Sequence, residues 1–245
     1  MSRSSFWLWL KVFVATAGVM VALACVTRPV DEPDPVDTTT EPAFFPQSIE
    51  KDVDLLFVID NSGSMAEEQE NLLLNFPKLI EALRSETLGD DPISDLPCTE
   101  TDSSGCNIPN VHIGVVSTDL GAGNYNLDRC TPGGDRGVLQ NAPKIAGCTP
   151  PTKRFISYIE GKTNIPNGDS IEQVKEAFSC VAKLGTGGCG FEMSLEAARR
   201  ALDSSATPEN AEFVRDNAFL AVVFITDEDD CSAAQAQLFD PGQSK

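Results

Sequence analysis

The stretch Asp52-Val53-Asp54-Leu55-Leu56-Phe57-Val58-Ile59-Asp60-Asn61-Ser62-Gly63-Ser64-Met65 decides how this chain is read. Five consecutive apolar residues, Leu55 to Ile59, stand between acidic ones, the pattern of a strand buried on both faces. Asn61-Ser62-Gly63-Ser64 is turn chemistry. From Met65 to Arg84 apolar side chains recur at 65, 72, 73, 76, 79, 80 and 83 with charges between them, which predicts an amphipathic helix perturbed at Pro77. The opening unit is therefore strand, tight turn, helix.

Outward from that unit the alternation continues. Val111 to Ser117 reads as a second strand closing on Thr118 and Asp119, and 121–151 is a Gly-, Pro- and Cys-rich excursion with no packing period. A helix is expected over about 170–184, with Ile171, Val174, Ala177, Phe178 and Val181 on one face, and another over about 192–202 after the glycine-rich 185–190. Ala218 to Thr226 is a continuous apolar strand that stops at Asp227-Glu228-Asp229-Asp230. Buried strands alternating with helices predict an α/β fold, a doubly wound and mostly parallel sheet with helices on both faces. Three strands are few for such a sheet, so the expectation is a domain whose last strands lie past residue 245.

Composition narrows the chemistry. The 245 residues carry 18 Lys and Arg against 37 Asp and Glu, a formal charge of −19, with a single histidine. A surface this acidic repels phosphate backbones, which argues against nucleic-acid binding. One histidine leaves no basis for a His-rich zinc site, and His112 within a strand reads as structural. Any metal would be held by hard oxygens.

The N-terminus points to export. Arg3 and Lys11 flank Phe6, Trp7 and Trp9, and 12–24 is apolar, small and uncharged up to Cys25. Ala22-Leu23-Ala24-Cys25 resembles a bacterial lipoprotein signal, with residues 1–24 as leader and Cys25 as the lipidated residue; ordinary cleavage or an uncleaved anchor are the other readings. Residues 25–48, with five prolines at 29, 33, 35, 42 and 46, read as a solvated tether, and 49–245 as the folded domain. The expected location is the bacterial outer membrane or cell surface. Seven further cysteines in an oxidising compartment favour disulfides among Cys98, Cys106, Cys130, Cys148, Cys180 and Cys189. Pairing neighbours would join 98 to 106, 130 to 148 and 180 to 189 and leave Cys231 over, although six cysteines allow 15 arrangements.

In a doubly wound sheet ligands bind beyond the carboxyl ends of the strands, and two strands here end on Asp60 and Asp227. The turn after the first supplies Ser62 and Ser64 at alternate positions, with Gly63 relaxing the backbone between them. Oxygen donors of this kind suit Mg²⁺, Mn²⁺ or Ca²⁺. The bland alternative is a helix cap made by the same serines.

At Asp60-Asn61-Ser62-Gly63-Ser64-Met65 the sequence resembles the von Willebrand factor type A domain, whose metal-ion-dependent adhesion site uses an Asp-x-Ser-x-Ser turn. Phe224-Ile225-Thr226-Asp227 is similar to that family's later strand, which ends in Thr-Asp. The resemblance spans about 52–240 in element order and implies that Asp60, Ser62, Ser64 and Asp227 surround the cation. The family supplies a threonine from a glycine-rich loop before a helix. In Gly187-Gly188-Cys189-Gly190-Phe191-Glu192 no threonine stands there, so Glu192 is the candidate in its place and Thr186 the fallback.

The function expected from these features is an exported, membrane-tethered, non-enzymatic binding module that captures a protein partner's acidic residue through a divalent cation. A phosphatase-like hydrolase using Asp60 lacks the second carboxylate of an Asp-x-Asp motif, because Ser62 stands there. A purely structural envelope lipoprotein needs the same ligands as the binding module. Residues 185–190 do not read as a phosphate loop, since no Gly-Lys-Ser/Thr follows them.

Overall fold

A computed structural model describes residues 52–84 and 109–242. The leader, the tether, Cys25, Cys98 and Cys106 lie outside the described residues.

Strand β1 (Val53–Ile59) leads through Ser62–Met65 into helix α1 (Ala66–Arg84), and β2 (Val111–Ser117) follows. Then come β3 (Ile156–Ile159), β4 (Lys162–Thr163), α2 (Ile171–Ala182), α3 (Ser194–Leu202) and β5 (Phe219–Ile225). The five strands form one mixed sheet in the order β4-β3-β2-β1-β5. Its core is parallel, β1 pairing with β2 and β5 over their full lengths, while β3 and β4 add antiparallel to the β2 side. An α/β architecture is thus what the sequence anticipated, with five strands in place of three. The additional pair is a hairpin turning at Glu160-Gly161, both at positive φ of 50° and 78°, the conformation a two-residue hairpin turn requires. Strands of four and two residues without an Asn-Gly signal leave little periodicity to read.

Alternation along β1 divides the core. Leu55, Phe57 and Ile59 face α1 and α2, where Phe76 stacks on Phe178 with ring centroids 3.6 Å apart and Phe57 lies 4.8 Å from Phe178. Full burial of each ring contributes roughly 1.5–3 kcal/mol. Leu56 and Val58 face the other way, onto Ala197, Ala198 and Ala201 of α3 and onto Phe213. Gly114 of β2 lies under Phe213, whose ring a Cβ would meet at 2.8 Å, so this approach needs glycine.

Strand β5 departs from the expected double burial. It is the edge of the sheet among the described residues, and Phe219, Leu220 and Phe224 are 68, 45 and 42% exposed. Continuous apolar sequence reports hydrophobicity and does not distinguish a central strand from an edge.

Helix α2 starts as expected, Ser170 and Gln173 forming a reciprocal capping box. Helix α1 continues through Pro77. The amino end of the sheet is tied by Arg215, whose Nε donates to the buried Asp54 at 2.8 Å and whose Nη1 donates to Asp52 at 3.0 Å. His112 belongs to the same end, its Nδ1 2.8 Å from the Phe213 carbonyl. Burial holds this imidazole below its ordinary pKa, so it is a neutral structural group.

Two disulfides are present among the described residues, Cys130–Cys189 and Cys148–Cys180. Pairing of sequence neighbours, 130 with 148 and 180 with 189, is therefore wrong. The fold carries Cys148 to α2 and Cys130 to the glycine-rich loop, and spatial proximity overrides separation in sequence. Cys231 is free.

Candidate metal centre

The parallel register sets three strand ends side by side. Ile59 pairs with Ser117 and with Ile225, so the next residues, Asp60, Thr118 and Thr226, follow in step at the carboxyl edge of the sheet. The Asp60 amide continues the ladder to the Ile225 carbonyl at 2.9 Å, and the Thr118 amide donates to the Ile59 carbonyl at 3.2 Å.

Asp60 is buried and its carboxylate organises the turn. Oδ1 accepts the Ser62 amide at 2.7 Å, and Oδ2 accepts the Thr226 hydroxyl at 3.0 Å. The turn this creates brings the hydroxyl oxygens of Ser62 and Ser64 to 3.3 Å from each other. Ser64 Oγ then donates to Asp227 Oδ1 at 3.2 Å, joining the first turn to the end of β5. Four of the sequence-derived ligands, Asp60, Ser62, Ser64 and Asp227, therefore meet in one chain of contacts. Exposure rises along it, from buried Asp60 and Ser62 to exposed Ser64 and Asp227. A cation seated there would keep a face open to solvent.

The turn is held from behind. Gln69, buried on α1, donates through Nε2 to the carbonyls of Asp60 and Gly185, both at 2.9 Å, and accepts the Gly185 amide at 3.0 Å. Gly188 donates its amide to the Asn61 carbonyl at 2.8 Å, and a Cβ there would sit 2.2 Å from Asn61 Oδ1. The same loop is fastened by the Cys130–Cys189 disulfide and by the Cys189 amide on Asp119 Oδ2 at 3.3 Å. Asp119 spends its other oxygen on the Gly121 amide at 2.8 Å. Its role is thus to orient loops, and burial raises its pKa against those two N–H bonds. Arg129 packs over the turn, its Nη1 3.2 Å from where a Gly63 Cβ would stand.

Glu192 sits just ahead of α3 with no measurable exposure, and among the described residues neither carboxylate oxygen has a hydrogen-bond partner. Burial pushes its pKa up to about 7, and the negative charges of Asp60 and Glu228 add to that. Thr118 Oγ1 is likewise buried without a partner, and the Thr118 carbonyl accepts the amide of Met193 at 3.1 Å. Thr186 makes none of the hydrogen bonds that gather the site.

The acidic run 227–230 is not the start of a helix of its own. Asp230 Oδ1 accepts the Leu195 amide at 2.9 Å and Ser232 Oγ accepts the Glu196 amide at 3.0 Å, so this segment caps α3, whose own N-cap residue Met193 supplies no side-chain bond.

Among the described residues no three Asp, Glu, His or Cys side chains stand close enough together to hold a metal by themselves. The donor set that fits a cation is mixed, two aspartates with serine hydroxyls, which matches a hard oxygen-seeking ion. Gln69, Thr118, Thr226 and Gly188 were not legible as site residues, because their contribution depends on which strand ends adjoin. The Thr-Asp ending at 226–227 was the only available signal for Thr226. Comparison with family models, with curated proteins and with solved structures gives no match.

Proposed function

We propose that the domain is a cation-dependent binding module in which Asp60, Ser62, Ser64 and Asp227 hold a divalent ion, Mg²⁺, Mn²⁺ or Ca²⁺, and the ion's open face takes an oxygen from a protein partner. The observation that supports this most directly is the 3.2 Å contact of Ser64 with Asp227, which brings the Asp-x-Ser-x-Ser turn and the second acidic strand end to one place. Graded exposure, with Asp60 at the floor and Asp227 at the rim, suits a site that must present its ion outward. The resemblance to the metal-ion-dependent adhesion site of von Willebrand factor type A domains points the same way. It suggests the doubly wound fold of that family and an acidic side chain as the partner's donor. The leader-like N-terminus with Cys25 suggests a lipid-anchored, exported protein that displays the module at the bacterial surface.

Calorimetric titration of Mg²⁺, Mn²⁺ and Ca²⁺ into chelator-treated protein tests the reading. Saturable one-site binding that is lost in Asp60→Ala, with the variant folded by circular dichroism, is the expected result. A folded wild-type protein that binds none of the three ions would overturn it.

A further inference from the structure

Three arginines meet around one cavity in a chain whose formal charge is −19. Arg136, on the loop between β2 and β3, and Arg199 and Arg200, on α3, line a hollow of about 360 Å³ together with Thr207 and Glu209. That volume is within the size range of small-ligand pockets. The walls are fixed by buried Asn210, whose Nδ2 donates to the carbonyls of Gly137 at 2.9 Å and Ala201 at 3.1 Å and whose Oδ1 accepts the Leu139 amide at 2.9 Å. Gly137 lies so close on α3 that a Cβ there would stand 2.5 Å from Arg200 Cβ. Loop and helix are thereby locked together, one carrying Arg136 and the other Arg200.

Carboxylates nearby balance the charge of these arginines without using up their donors. Arg136 gives only Nη2 to Glu209, at 3.2 Å, and Arg200 gives only Nε to Glu196, at 2.8 Å. Arg199 is more fully engaged, with Nε and Nη2 on Glu196 at 2.7 and 2.8 Å and Nη1 3.5 Å from Asp203. A guanidinium carries five N–H donors. Both Nη groups of Arg200, and Nε and Nη1 of Arg136, therefore have no acceptor among the described residues. Thr207 is an independent sign at the same place, since its hydroxyl is buried and without a partner among the described residues. A buried hydroxyl left unpaired is costly.

We propose that this cavity binds a phosphate group, free or as the monoester of a small molecule, between the unused edges of Arg136 and Arg200, with the Thr207 hydroxyl as a further donor. A carboxylate's two oxygens match one arginine fork, whereas a phosphate brings three acceptor oxygens and more charge, enough to bridge arginines on two elements. The acidity of the whole chain repels long polyanions, which restricts the ligand to a small molecule. None of these residues belongs to the cation site, so the proposal does not depend on the cation-binding reading.

The test is calorimetry at low ionic strength on the full chain, in chelator so that no cation at Asp60 takes up phosphate, with inorganic phosphate, glycerol phosphate and acetate as probes. Wild type should bind both phosphate probes saturably at one site, and acetate at least about tenfold more weakly. Whichever phosphate probe binds more tightly identifies the source of the group. Arg136→Ala and Arg200→Ala should each weaken phosphate binding about tenfold or more, and Thr207→Val should weaken it by a smaller factor. Lys162→Ala, which removes an exposed cation paired with Asp169 elsewhere, should leave it unchanged. Absence of saturable phosphate binding in wild type overturns the proposal, and so does unchanged binding in both arginine variants. An equal loss in Lys162→Ala also overturns it, because the response would then be to overall charge. Acetate binding as tight as phosphate overturns the ligand class. If Arg200→Ala does not fold by circular dichroism, Arg200→Lys, which keeps the charge and loses the fork, should still weaken binding, and unchanged affinity there overturns the proposal.

Discussion

Ser64 Oγ donates to Asp227 Oδ1 across 3.2 Å, although 163 residues separate the two in sequence. The contact exists because β1 and β5 are parallel neighbours in register, so that the turn leaving one and the loop leaving the other emerge at the same edge. Both residues are exposed, and neither carries core packing. Ser64→Ala and Asp227→Ala should therefore leave stability within about 1 kcal/mol of wild type. Each is expected to weaken Mn²⁺ binding about 10- to 100-fold. Urea unfolding and Mn²⁺ titration of the same samples separate the two effects.

Asp60 should behave differently, since its buried carboxylate serves both the Ser62 amide and the Thr226 hydroxyl. Asp60→Ala leaves those donors unsatisfied and should cost about 1–3 kcal/mol in urea unfolding, besides abolishing cation binding. Asp60→Asn, which keeps an acceptor oxygen, should recover part of the stability without the binding.

Gly188→Ala would drive a methyl group to within 2.2 Å of Asn61 Oδ1. All three atoms it would meet belong to the Asn61 side-chain amide, so Asn61 must turn aside within the Asp60 turn, at a cost of about 1 kcal/mol, and Mn²⁺ affinity should fall although no ligand has been touched. A variant with wild-type affinity would show that the glycine-rich loop does not position the site.

At the opposite end of the sheet, Arg215→Ala removes the fork that neutralises buried Asp54. Breaking a buried pair from one side costs about 3–5 kcal/mol. Denaturant unfolding should report a loss of that size, while any remaining folded fraction keeps its cation affinity.

His112 makes a direct pH prediction. Burial depresses its folded-state pKa below the ordinary 6.5, so the imidazole is neutral in the fold and protonates more readily once unfolded. Its contribution to stability is complete above 6.5 and is lost as pH falls from there through the depressed folded value. As the chain's one histidine, it gives a single imidazole C2–H resonance, whose titration midpoint by NMR should lie below 6.5. A midpoint at or above 6.5 would contradict the burial argument.

Much of the framework was legible from local pattern. Val111 to Ser117 was read at its observed bounds, and α2 lies within the helix expected at 170–184, because apolar period is a local property. The Asp60, Ser62 and Ser64 turn was legible for the same reason. The β3–β4 hairpin was not, being too short to show a period, and the edge position of β5 was not, since its composition is that of a buried strand. Disulfide pairing failed for a related reason: Cys130 and Cys189 are 59 residues apart and meet only through the packing of two loops.

By itself, then, the sequence determined which segments form the main strands and helices and which residues carry hard oxygen donors, since apolar spacing and side-chain chemistry are written residue by residue. Tertiary structure alone decided that Asp227 faces Ser64, that the Thr226 hydroxyl supports Asp60, that Asp230 and Ser232 cap a helix 35 and 36 residues upstream, and that Glu192 is buried. Those facts depend on strand order and register, which arise from the whole packed sheet and from no single stretch of chain.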